Sequence, residues 1–182
     1  MLKDFNILSF AKMKPPGDNT FDTMQEIKLI NKIPFNKKLV KSYDDIPSAF
    51  EKTAREQGIE NYDKSIAEKL IKESVKPLLR LKFHFNRPRP KVIAKAMNIR
   101  MNDLELKSMA TPSYPSGHSA QGILIARVLG DKYPSAKAAF LKTAERISYS
   151  RNIAKAHYMS DSKLGTLIGE QMYKHIKNKS NE

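Results

Sequence analysis

Helical periodicity runs through this chain almost without interruption, and the alternation that marks strands is nearly absent. Over residues 62–85, Ile66, Leu70, Ile71, Val75, Leu78 and Leu79 fall on one stripe, with Pro77 placed to kink or split that helix. Asp18 or Asn19 is placed to cap a helix reaching about Lys32, and Pro34 ends it. Residues 46–57 form a short helix closed by Gly58. Pro90 opens another, to Met97. Later helices are expected from Gly117 to about Asp131, over 134–156 and over 161–177, with 34–45 and 98–116 left as loops. The expected class is all-α, a helical bundle. At 182 residues a single domain is the natural size. Residues 1–19, broken by Pro15-Pro16-Gly17, read as an irregular lead and 20–182 as the domain.

Composition narrows the chemistry. With no cysteine, disulfides, thiolate nucleophiles and cysteine zinc sites are excluded. Histidine chemistry must come from His84, His118, His157 or His175. Lys and Arg number 33 against 19 acids, a formal charge of +14, so the surface attracts anions such as phosphate esters, nucleic acid or lipid headgroups. The longest mainly apolar stretch, 123–129, is interrupted by Arg127 and falls well short of the roughly 20 residues a membrane span needs. The first ten residues lack a leader pattern. The chain is therefore expected to be cytoplasmic.

Three segments carry candidate chemistry. In the first, Lys82 lies at a helix end and Arg89 in the stiff loop Arg87-Pro88-Arg89-Pro90. Cations on two kinds of backbone can converge on one anion, Arg89 as a planar fork and Lys82 as a point charge. In the second, Ser116-Gly117-His118 precedes a helical pattern. Free amides at a helix start form an anion site, Ser116 adds a hydroxyl, and a bound phosphate favours protonated His118. In the third, Arg151 supplies another fork, and His157 and Asp161 stand four apart. They share a face on a helix, or meet across a turn. A carboxylate on one imidazole nitrogen fixes the tautomer and frees the other nitrogen to attack. Together these groups make a set for phosphoryl transfer without a metal. No metal-ligand spacing stands out, so no cofactor is expected, although vanadate or phosphate would fit the pocket. Arg87 and Lys155 are expected to be solvated, His84 and Phe85 to be packing or rim and His175 to be surface; for Tyr114 a place at the pocket mouth is the lesser alternative.

Lys82…Arg89-Pro90, then Pro115-Ser116-Gly117-His118, then Ser150-Arg151…His157…Asp161 reproduce a known order: Lys-x6-Arg-Pro, Pro-Ser-Gly-His, Ser-Arg-x5-His-x3-Asp. In this the chain resembles the type 2 phosphatidic acid phosphatase superfamily, which includes class A nonspecific acid phosphatases and vanadium-dependent haloperoxidases. The resemblance implies a helical bundle with the site at its helix ends. It implies that Lys82, Arg89, Ser116, Gly117 and Arg151 bind the phosphoryl oxygens. His157 would attack phosphorus, Asp161 would orient it, and His118 would protonate the leaving oxygen. It also implies vanadate inhibition and leaves room for a homo-oligomer. The function read from all this is hydrolysis of phosphate monoesters on a small-molecule substrate through a phosphohistidine. The alternatives are a vanadate-dependent haloperoxidase, or a basic protein with an inactive pocket that binds nucleic acid or touches an anionic membrane.

Overall fold

The computed structural model describes residues 1–180. Eight α-helices are present among them, with no strand: α1 (Phe21–Lys32), α2 (Lys37–Ser42), α3 (Ile46–Glu56), α4 (Ser65–Phe85), α5 (Pro90–Ala96), α6 (Gly117–Lys132), α7 (Lys137–Ile153) and α8 (Met159–Ser180). The all-α class holds. Details differ where local signals compete. The cap of α1 is Thr20, whose side chain accepts from the Thr23 amide, rather than Asp18 or Asn19. Pro77 does not break α4; Leu78 and Leu81 beyond it are buried in the core, and that packing outweighs one missing hydrogen bond. Part of the expected loop 34–45 is helical, because Asn36 caps α2 and Val40 buries against Ile153, Ala154 and Ala156.

Helix α6 is the axis of the bundle. It packs against α4, α7 and α8 and buries Ala120, Leu124, Ile125, Ala126 and Leu129. A helix apolar on most of its circumference must be enclosed on most sides. Helices α3, α4, α7 and α8 supply the wall through Phe50, Leu70, Phe140, Ile147 and Ile168. Residues 1–19 contain a 3-10 turn, Ile7–Phe10, and contribute Leu2, Ile7 and Phe10 to the same core.

Two glycines set how closely α8 lies on α6. A Cβ at Gly165 would be driven into the Ser116 carbonyl oxygen, and one at Gly169 into the Ala120 carbonyl oxygen and the Ile123 side chain. Backbone meets backbone there, so no side chain can yield. This contact holds the second and third turns of α8 against the first turn of α6, beside the site. Gly169→Ala is therefore expected to lower stability by about 1–3 kcal/mol or more, read as a shift of the urea midpoint.

Candidate active site

Four helix ends, one loop and one bend converge. Lys82 comes from the last turn of α4. The chain then turns through Asn86, which takes the left-handed conformation (φ 49°) that asparagine tolerates. Arg89 follows in the extended Pro88–Pro90 loop. Ser116 caps α6, and Gly117 and His118 occupy its first turn, where backbone amides lack intrahelical acceptors. Arg151 lies in the last turn of α7. His157 sits in the bend between α7 and α8, and Asp161 in the first turn of α8. The pair is thus joined across a turn rather than along one helix face.

Asp161 is fully buried and takes four donors. Oδ2 accepts from His157 Nδ1 at 3.0 Å, from the Tyr158 amide at 3.1 Å, and from the Ser113 hydroxyl. Oδ1 accepts from Arg87 Nη1 at 2.8 Å. The bond back to Tyr158 is a capping-box arrangement at the start of α8. Burial would raise this carboxyl, but the His157 hydrogen bond, the charge of Arg87 and the Ser113 hydroxyl outweigh it and hold it below the usual range.

The tautomer of His157 follows from its partners. Ionised Asp161 can only accept, so Nδ1 carries the proton. Arg89 can only donate, and its Nη1 lies 3.1 Å from Nε2, so Nε2 holds the lone pair. Burial and the nearby cations Arg89 and Lys82 push the imidazole down to about 3 against the pull of Asp161, so the ring is neutral.

The cations are buried with few anions for company. Burial and Arg89 bring the Lys82 ammonium down to about 7, and it donates to the carbonyl oxygens of Pro112 (2.8 Å) and Ser113 (3.3 Å). Burial, with Arg151 nearby, lowers Arg89 to about 10. Its guanidinium is braced by the carbonyls of Thr111, Ala156 and Ser108. Arg151 is fully enclosed; Nη1 donates to Asp44 Oδ1 at 2.7 Å, while Nη2 is buried with no acceptor. His118 Nε2 lies 3.0 Å from the Asp44 carbonyl oxygen and 3.4 Å from Arg151, and burial plus Arg151 lower it to about 4. Ser116 Oγ accepts from the Ser119 amide and hydroxyl, which leaves its own O–H free to donate. Depressed cations, an orphaned guanidinium nitrogen and a helix start are the environment an oxyanion would relieve.

The eight residues named from sequence therefore cluster in one place. Others were misjudged. Arg87 is not solvated: it is 2% exposed, pairs with Asp161 and Glu26 (both 2.8 Å), and stacks 3.7 Å from the Tyr158 ring. Lys155 is not solvated either; its ammonium caps the end of α1 on the carbonyls of Ile30 and Ile33. For Tyr114 the lesser alternative, the mouth, does not hold: it is buried, packed on Phe85 with its hydroxyl on the Met13 carbonyl. His175 is partly buried and edges onto Phe5. Glu26, Asp44 and Ser113 escaped notice. Glu26 and Asp44 stand 61 and 107 residues from the arginines they meet, and no local pattern links such positions. Ser113 adjoins the Pro115-Ser116-Gly117-His118 signature and was the one within reach of a local reading.

Among the described residues no group of three or more His, Asp or Glu side chains could hold a metal ion, and no helix is long and apolar enough to cross a membrane. Both site histidines have folded-state values below the unfolded value near 6.5, so the unfolded chain binds more protons as pH falls. Stability is expected to be full above about pH 6.5 and to decline between there and about pH 3. Melting temperatures across that range in phosphate-free buffer test this, and His118→Gln should flatten the slope.

Breaking the buried pair has a separate signature. Arg87→Met strands Asp161 and Glu26, and is expected to cost about 3–5 kcal/mol in denaturant titration.

The family model for the PAP2 superfamily matches residues 70–178, which span all eight candidate residues. The non-specific acid phosphatase of Salmonella typhimurium (strain LT2) is 34% identical over 88 residues, covering 48% of this chain and 35% of that protein. The match thus spans about a third of that relative's length. More than half of the chain lies within the family match, with its signature residues clustered in one place, and the chain belongs to the PAP2 superfamily.

Proposed function

We propose that this protein is a phosphatase that hydrolyses phosphate monoesters through a phosphohistidine on His157, using its own cations in place of a metal. The observation that carries this reading is the state of His157: neutral, with Nδ1 tied to Asp161 and the Nε2 lone pair facing Arg89 amid Lys82, Arg151 and the start of α6. A nucleophile needs that lone pair, and a phosphoryl group needs those donors.

In the first half-reaction the phosphoryl oxygens take hydrogen bonds from Lys82, Arg89, Arg151, the Ser116 hydroxyl and the Gly117 amide. Arg89 shifts from Nε2 to a phosphoryl oxygen. Nε2 attacks phosphorus; a P–N bond forms as the ester P–O bond breaks. The leaving oxygen takes a proton from His118, which the bound phosphoryl charge has helped to protonate. Asp161 stabilises the now cationic ring. In the second half-reaction neutral His118 accepts a proton from water, the hydroxide attacks phosphorus, and the P–N bond breaks to return His157 and release phosphate. Charge neutralisation by fixed donors accounts for most of the barrier lowering expected of such a site.

The relative's description as a non-specific acid phosphatase supports the substrate class. Hydrolysis of p-nitrophenyl phosphate in EDTA is the test. Wild type should turn over, and His157→Ala should lose about 10³-fold or more. Orthovanadate should compete with substrate. Sensitivity of the wild-type activity to EDTA, or its persistence in His157→Ala, would overturn the mechanism.

A further inference from the structure

One group at the site has no role in that mechanism. Asp44 lies in the three-residue link between α2 and α3, and its side chain is 42% exposed. Yet it reaches the most enclosed cation of the pocket. Its Oδ1 takes Arg151 Nη1 at 2.7 Å, its carbonyl oxygen lies 3.0 Å from His118 Nε2, and its carboxylate lies 3.7 Å from the same nitrogen. One residue thus covers the third phosphoryl-binding cation and the candidate acid together.

Most other groups of the site are shut in as well. Arg151 and Ser116 are fully buried, and Lys82, Arg89 and His157 are each less than a tenth exposed. A phosphate ester reaching them must displace something. Lys82 and Arg89 are held by two and three backbone carbonyls respectively, and His157 by Asp161. Asp44 is the exposed group, it sits on the shortest tether, and it is itself an anion on an anion site. Its neighbour Asp45 faces elsewhere, capping α3 on the Ser48 amide at 2.8 Å, so the outer end of the link is fixed.

Resting on the reading of the pocket given above, we propose that Asp44 is an internal anion that occupies the phosphoryl site and is exchanged for the substrate's phosphoryl group. The exchange keeps Arg151 paired at every stage, so the cost of a buried lone guanidinium is avoided. His118 is released in the same step, because the carbonyl on Nε2 leaves with the carboxylate. The link thereby acts as a gate that only a competing oxyanion opens, and neutral esters have no means of displacing it. A substrate that binds Arg151 less strongly than a carboxylate does is excluded.

The test is the affinity of inorganic phosphate, measured by calorimetry on the whole chain, for wild type, Asp44→Asn and Asp45→Asn. Asparagine is an adequate helix cap, so Asp45→Asn reports the loss of one nearby charge without the plug. With the open form present at about one part in ten, removal of the competing anion tightens phosphate binding about tenfold. That gain is expected for Asp44→Asn and not for Asp45→Asn. The phosphate-induced rise in melting temperature should grow in step, since ligand stabilisation follows affinity. Unchanged or weaker phosphate binding by folded Asp44→Asn would make Asp44 a brace for Arg151 and overturn the gate. Equal tightening in both variants would reduce the effect to long-range charge and overturn it too. Binding by none of the three proteins would sink the pocket assignment itself, a distinct failure that takes the gate with it.

Discussion

The interaction on which the rest depends is the buried carboxylate of Asp161. An ion enclosed by protein is tolerable only when its lone pairs are engaged, and here four donors from three parts of the chain meet it: His157 and Tyr158, Ser113, and Arg87. Meeting that demand positions the bend before α8, the loop before α6 and the link after α4. Those same three segments carry the pocket. The charge that would be a liability in a core thus acts as the reference point for the site.

A second tier sits behind it. Arg87, paired with Asp161, also binds Glu26 and the Ser160 hydroxyl, and Glu26 accepts from the Ser160 amide and hydroxyl. Helix α1 is tied to the start of α8 by that cluster and, at its other end, by Lys155. The basic composition therefore has two parts. Most of the positive charge is solvated, but five cations (Lys82, Arg87, Arg89, Arg151 and Lys155) are buried. Three of these are left short of counterions in one place. The excess of positive charge at the site is thus a local imbalance, distinct from the net charge of the chain.

Close backbone packing supplies the rigidity. Gly165 and Gly169 let α8 lie directly on α6, and the Ser116 amide donates to the Asp161 carbonyl at 3.0 Å across the same junction. The two helix starts, one presenting amides and one presenting the carboxylate, are held as a unit. The inner face of the site is thus fixed by backbone contacts, whereas the link that bears Asp44 lies at its exposed edge.

The sequence by itself determined the helical class, the order of the main helices and the residue types that gather at the site. Those follow from local physics: apolar spacing defines a buried face, proline and glycine mark ends, and three short signatures carry their own spacing. Tertiary structure decided what local physics cannot address. Apolar periodicity says that a face is buried but not whether a charged neighbour is buried with it. Arg87 and Lys155 therefore looked like solvent-exposed residues until α1 supplied Glu26 and two helix-end carbonyls. Pro77 looked like a break until the core on both sides of it proved stronger than one lost hydrogen bond. The link holding Asp44 had no pattern at all. Its carboxylate matters only because the fold carries it across 107 residues of chain to Arg151.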